Sequence, residues 1–264
     1  MDKLPQNLDI NNLINDLKNI SWEAADVLIY YSNKLLDSNY KKKIIKNPNS
    51  KDPVTLADLK VNELLIKRIN EKYRETEWQI LTEENTKFSS HNLEMNTDFV
   101  WVIDPLDGTK DFIQGTGNYA MHLALNYKKK SHIGVVLIPE KDEIWFTDGA
   151  KTWCEGKDGF QKQKNISRSI EKKNLKELRL VTSKNHNNEV LKTLIRKVEF
   201  KKVTIMGSIG CKIASIVRGD SDIYICLSLP GKSSPKDWDF AAPESILKSA
   251  GGAITNIDNQ ELTY

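Results

Sequence analysis

No run of about eighteen apolar residues occurs in the 264-residue chain, so no segment is expected to span a bilayer. The opening "MDKLPQNLDINNLINDLKNI" has no basic lead followed by an apolar stretch of signal-peptide length. A cytoplasmic location is the expectation. Cysteine is scarce: Cys154, Cys211 and Cys226 show neither C-x-x-C spacing nor an even count, which argues against a disulfide framework and against a thiolate zinc site. They are expected as free, buried thiols. Histidine is equally sparse, and His91, His122, His132 and His186 lack metal-ligand spacing. His122 is expected in the core or supporting a site from behind, not acting as a base. One-sided charge is missing too, since 39 basic residues stand against 36 acidic ones for a net charge of +3. No global field marks a nucleic-acid or membrane-surface protein, and the lysine runs have no aromatic stacking platform beside them. Internal repeats and low-complexity tracts are absent as well.

What is present is enough chain to bury a substantial core, as one large domain or two closely packed halves. Apolar residues recur at helical spacing from Leu8 to Leu36, predicting one or two amphipathic helices. Lysines 41–43 then lead through "NPNSKDP" into a second helical pattern, "LADLKVNELLIKRINEKY", with Pro53 and Asp58 supplying turn and cap chemistry in front of it. The period then shortens. "WQILTEEN", "FVWVIDP", "YAMHLALNY" and "HIGVVLIPEKDEIWFTDG" read as strands, and "GAKTWCEGKDGFQKQ" as a further hairpin. Beyond it strands alternate with helices: "LRLVTSKN", "NNEVLKTLIRKV", "FKKVTIMGS", "IGCKIASIVRG", "SDIYICLSL" and "DFAAPESILKSAGG". The expected class is α/β, with an α+β N-terminal half over 1–150 and an α/β C-terminal half over 151–264.

The stretch "VWVIDPLDGT" asks for more than packing. If Phe99 to Ile103 is a buried strand, Asp104 emerges at its end, Pro105 breaks the ladder, and Asp107 turns back beside Asp104. Like charges held that close need a cation, and oxygen ligands without Cys or His select a hard ion such as Mg²⁺. Gly108 and Thr109 would start the next helix and offer backbone N–H groups to an anion. Taken alone, D-x-x-D-G is more often ordinary turn chemistry. Two other segments add to it: "ILTEEN" ends an apolar strand in Glu83 and Glu84, and "KDWDFAAPE" brings Trp238 and Asp239 to a helix start, where Asp239 by itself would be an N-cap.

In that order, an acidic pair after a strand, D-P-L-D-G-T and then W-D-x-A-A resemble the inositol monophosphatase superfamily of metal-dependent phosphatases, over roughly Ser50 to the end. The resemblance implies the layered αβαβα sugar-phosphatase fold and two or three Mg²⁺ ions. Its metal ligands map to Glu83, Asp104, the Leu106 carbonyl, Asp107 and Asp239, most of them in the N-terminal half. Glu83, Asp107 and Thr109 are the implied catalytic residues, with Thr109 and an acidic partner orienting a water that the ions activate. Gly108, Thr109, Lys110, Ser208 and Lys212 are the implied substrate-binding residues. Asp58, at the end of "DPVTLAD", is a weaker candidate ligand.

"TKDFI" and "GSIGCK" followed by "RGDSDIY" are most like the 3′(2′),5′-bisphosphate nucleotidase branch, where T-K-E-F and a G-S-S-x-K helix are usual. The implied reaction converts 3′-phosphoadenosine 5′-phosphate to AMP and phosphate, a step of sulfur metabolism. Lys232 and Lys236 would add positive potential at the rim. Three departures stand out. Ser50 replaces an acidic residue of the nucleotidase branch and Asp52 a serine, which weakens that reading or moves the base to Glu83 or Asp52. Thr82 stands where S-E-E has serine. Relatives usually continue with another strand and helix after the point reached by "NQELTY". The nearest alternative is an inositol or sugar phosphate phosphatase with the same metals, and a catalytically silent nucleotide-binding protein is a rival of another class. The partner is expected to be a small phosphate ester, with no nucleic acid and no membrane, the protein being a monomer or homodimer.

Overall fold

The computed structural model describes residues 8–47, 53–76, 78–88, 97–163, 174–184, 188–228 and 234–264. The N-terminal helical pattern forms one uninterrupted helix, α1 (Ile10–Leu35), capped by the Asp9 carboxylate on the Asn11 N–H. It buries Leu13, Leu17, Ile20, Ala24 and Leu28, a stripe at three- and four-residue spacing. The lysine triplet, expected in a connecting segment, lies in a short helix, α2 (Ser38–Ile44). Next comes α3 (Leu56–Tyr73), which opens on a capping box between Thr55 and Asp58.

Then follow β1 (Gln79–Thr82), α4 (Glu83–Phe88), β2 (Phe99–Asp107), α5 (Thr109–Gln114), β3 (Ala120–Tyr127), β4 (Lys130–Ile138), β5 (Glu143–Thr147), β6 (Thr152–Glu155) and β7 (Gln161–Gln163). These strands make a seven-stranded sheet in sequence order. β1 runs parallel to β2, and each later neighbour is antiparallel to the one before. Among the described residues a second sheet has the order β10-β8-β9, all parallel, from β8 (Arg179–Ser183), β9 (Lys202–Met206) and β10 (Ile223–Ile225). α6 (Glu189–Val198) connects β8 to β9, α7 (Ile209–Arg218) connects β9 to β10, and α8 (Asp237–Ser249) follows.

Strand alternation sorts the large sheet into two faces. Trp101, Ile103, Leu123, Leu125, Val135 and Leu137 pack with α1 and α3, whereas Val102, Ala120, Ala124, Val136 and Ile138 pack with α7 and α8. The α/β layered class expected from the sequence is the one found. α8 comes closest where β4 carries Gly134: a Cβ there would run into the Ser245 hydroxyl and stand 2.9 Å from the Ala242 carbonyl oxygen. Gly134→Ala is therefore expected to push α8 off the sheet and cost about 1–3 kcal/mol. Thermal unfolding should show a midpoint several degrees lower, and an unchanged midpoint would mean that α8 shifts freely.

Three local expectations give way. The strand read through Glu84 ends at Thr82, and Glu83 opens α4. Thr82 makes this turn, because its hydroxyl accepts the Asn85 N–H and its carbonyl accepts the Thr86 hydroxyl. Pro105 does not end its strand: β2 continues to Asp107 across a register shift between Asp104 and Asp107, a bulge that accommodates the missing N–H. Asp239 is not the cap residue of α8 but its third residue, reaching back so that Oδ2 accepts the Lys236 N–H at 2.6 Å. Among the described residues the three cysteines are free, Cys154 and Cys211 buried and Cys226 half-buried.

Candidate metal centre and substrate cleft

Asp104 is two residues beyond Val102, so alternation turns it toward the α7 and α8 face. The bulge then returns Asp107 to the same spot, and the first turn of α8 delivers Asp239. One carboxylate oxygen from each of Asp104, Asp107 and Asp239 lies within 4.8 Å of the others. Asp104 and Asp107 are buried and Asp239 half-buried. Asp104 also accepts the Leu106 N–H at Oδ1, 3.0 Å away.

The electrostatics of this cluster are unfavourable without a cation. Burial, reinforced by the charges of Glu83, Asp107 and Asp239, holds the Asp104 carboxyl well above the usual carboxylate range. Burial and the Asp107 charge push Asp239 up to about 7. Asp107 goes the other way: burial raises it, but His122, Lys212 and the Ser208 hydroxyl together bring it below its ordinary value. Among the described residues the donors converging here are oxygens, and the His122 imidazole nearby is turned onto Asp107. The residues present therefore fit hard divalent cations such as Mg²⁺. Glu83, half-buried on the first turn of α4, lines the same cleft outside that three-carboxylate group.

The cleft has a volume of about 350 Å³ and is lined by Asp104, Asp107 and Asp239 together with Lys110, Lys212 and Tyr224. That size suits a small molecule, not a polymer. Thr109, the first residue of α5, has its hydroxyl 3.2 Å from Asp58 Oδ1 and 3.1 Å from the Leu106 carbonyl oxygen. Asp58 is fully buried, its Oδ2 accepting both the N–H and the hydroxyl of Thr55 at 2.8 and 2.6 Å. Burial dominates those bonds and raises Asp58 to about 7. Gly108 must be glycine, since its φ is +87° and a Cβ would stand 3.0 Å from the Asn118 carbonyl oxygen and 3.1 Å from Ser208 Cβ.

Of the two residues expected at the substrate, Lys212 lines the cleft and Ser208 stands behind it. Ser208 is fully buried; its hydroxyl donates to Asp107 Oδ2 at 2.6 Å and accepts the Cys211 N–H, so it touches the site through Asp107. Lys212 lines the cleft, with Nζ donating to the Gly207 carbonyl at 2.8 Å and standing 5.2 Å from the Tyr224 ring centre. Burial pulls its ammonium below the ordinary lysine range. Lys236 also lines the cleft, from an exposed position at the rim. Ser50, Asp52, Lys232, His91 and His186 lie outside the described residues.

Sequence reasoning named Asp58 as a weaker candidate ligand and gave Thr109 an acidic partner without identifying it, and the structure sets Asp58 against the Thr109 hydroxyl. The available signal was V-T-x-x-D: a capping-box acid at the third helical position keeps one oxygen for its cap and leaves the other for Thr109. His122 was expected in a supporting place, and it is there, buried with Nε2 at 3.1 Å from Asp107 Oδ2 along a bent approach.

With this geometry in view, the model of the inositol monophosphatase family matches residues 9–264. The 3′(2′),5′-bisphosphate nucleotidase CysQ of Buchnera aphidicola is 29% identical over 238 residues, covering 89% of this chain and 80% of that protein. The inositol-1-monophosphatase of Bacillus subtilis is 28% identical over 220 residues, covering 83% and 77%. Among solved structures, the Thermotoga maritima IMPase superposes with a TM-score of 0.73 at 21% identity, covering 96% of this chain and 88% of its own. Among the described residues no helix is long and apolar enough to cross a membrane.

Proposed function

Since the chain belongs to the inositol monophosphatase family of phosphatases, we propose that its cleft is a Mg²⁺-dependent phosphomonoesterase site acting on 3′-phosphoadenosine 5′-phosphate, releasing AMP and phosphate. The observation that carries this reading is the convergence of Asp104, Asp107 and Asp239 within 4.8 Å at a cleft that also holds the buried Lys212. Glu83, Asp104, Asp107, Asp239 and the Leu106 carbonyl would hold two or three ions. Bound there, the ions supply charge neutralisation and Lewis-acid polarisation of the phosphoryl group.

The chain's own residues do the rest. Thr109 sits where its hydroxyl can accept a proton from the attacking water while passing its own to Asp58 Oδ1, 3.2 Å away. A carboxyl brought up to about 7 is a base matched to neutral pH. Gly108 and Thr109, at the start of α5, line the cleft, and their N–H groups would serve the phosphate oxygens. Lys110 and Lys212 line the cleft and bring positive charge for a second phosphate, which supports a bisphosphorylated nucleotide. The CysQ relatives support the same choice. Inositol monophosphatases match at similar identity, and inositol 1-phosphate is the competing substrate.

Phosphate release from 3′-phosphoadenosine 5′-phosphate and from inositol 1-phosphate, measured side by side with saturating Mg²⁺, tests the reading. The nucleotide is expected to lead by orders of magnitude in kcat/KM. A lead for inositol 1-phosphate would transfer the assignment to the other branch, and inactivity on both would remove it.

A further inference from the structure

His122 adjoins the three places where Asp104, Asp107 and Asp239 enter the cluster. In the β2–β3 ladder it stands directly opposite Asp104. Its Nε2 meets Asp107 Oδ2 at 3.1 Å, and its Nδ1 lies 3.3 Å from the carbonyl oxygen of Trp238, the residue before Asp239. The ring is fully buried. It thus stands between the end of β2 and the first turn of α8, the two elements that must keep a fixed separation for three carboxylates to share a cation.

The same Asp107 oxygen accepts two hydrogen bonds, from the Ser208 hydroxyl at 2.6 Å and from the Gly210 N–H at 2.9 Å. With His122 Nε2 standing against it as well, Oδ2 is turned into the protein, which leaves Oδ1 as the oxygen for a metal. Gly210 makes this possible. A Cβ on it would collide with His122 Nε2 and come within 2.8 Å of Val136 Cγ1, so only glycine lets α7 approach closely enough for its N–H to reach the carboxylate. Glycine inside a helix costs about 1 kcal/mol relative to alanine, which the close approach offsets here.

We infer that His122 is a positioning residue for the metal centre: it holds Asp107 with one oxygen turned to the cluster and braces Asp107 against the backbone that carries Asp239. The inference rests on the metal reading above and deepens it. His122 touches neither substrate nor reacting atoms, so its contribution appears in cation affinity and leaves substrate affinity unchanged.

Titration calorimetry of Mn²⁺ into metal-stripped protein tests this without turnover. His122→Ala is expected to weaken Mn²⁺ binding about tenfold, the lower end for groups that orient a ligand. His122→Gln is expected to recover most of the loss, because its side chain can place an amide N–H where Nε2 stands. KM for the phosphate ester at saturating Mg²⁺ should change by less than about twofold, while the Mg²⁺ concentration for half-maximal rate rises in step with the calorimetric loss. If His122→Ala does not fold, His122→Gln is compared with His122→Leu, which fills the space without a donor. Equal Mn²⁺ affinity in wild type and the donor-less variant overturns the inference. So does a Gln variant as weak as the Leu variant. A wild-type protein that binds no Mn²⁺ would instead overturn the metal reading itself.

Discussion

Asp104→Asn is expected to give a folded protein whose phosphate release falls by at least about a thousandfold at saturating Mg²⁺, equivalent to about 4 kcal/mol of transition-state stabilisation. The substitution keeps shape and keeps the Oδ1 that accepts the Leu106 N–H; what it removes is the charge. Asp104 is the most repelled group of the cluster, buried and facing the charges of Glu83, Asp107 and Asp239. The neutral amide therefore relieves the metal-free protein while disabling the metal-loaded one. Its unfolding midpoint without metal should equal or exceed that of the wild type, and the rise in midpoint on adding Mg²⁺ should be largely lost. Steady-state release and a pair of thermal melts read both sides. Near-normal turnover at saturating Mg²⁺ would take Asp104 out of the metal centre.

A second large effect is the pH dependence of stability with and without metal. Asp58 and Asp239 both move from near 4 when unfolded up to about 7 when folded without metal. Below about pH 4 both states hold these protons, and the groups cost nothing. Between about 4 and 7 the folded protein keeps protons that the unfolded chain has released, so stability falls as pH rises, and above about 7 the loss is complete. Each shift of this size corresponds to several kcal/mol, before the coupling within the cluster is counted. Stripped of metal, the protein should unfold at a lower temperature at pH 8 than at pH 5.5. Divalent cations compete with the proton held by Asp239, so Mg²⁺ should raise the midpoint more at pH 8 than at pH 5.5. Melts at the two pH values, with EDTA and with excess Mg²⁺, decide the matter. A Mg²⁺ stabilisation independent of pH would mean that Asp239 does not face the ion.

The sequence showed the layers and the acidic segments because both write themselves in periodicity. The three- and four-residue spacing in α1, the alternation in β2 and β3, and the D-P-L-D-G-T signature each depend on local pattern. What it hid was where a local rule meets a tertiary one. Pro105 is a strand breaker by itself, yet the pairing with β3 carries the strand through it on a bulge. Asp239 has N-cap chemistry, yet a helix that begins at Asp237 makes it the third helical residue, where it can bond back to Lys236 and still face the cluster. Asp58 looks like a simple cap, and its second oxygen acquires meaning only when Thr109 arrives from 51 residues away. His122 could be expected in a supporting place from its strand, but which carboxylate it would meet could not. Its place opposite Asp104 follows from the register of β2 on β3, which depends on side chains far apart in the chain.

One hydroxyl joins two tasks that are often treated as separable. Ser208 caps α7, the helix whose Lys212 faces the cleft, and the same oxygen donates to Asp107. Reshaping that helix to welcome a different leaving group will therefore also retune how firmly the catalytic ions are gripped, so new specificities selected at this position should arrive with altered appetites for magnesium.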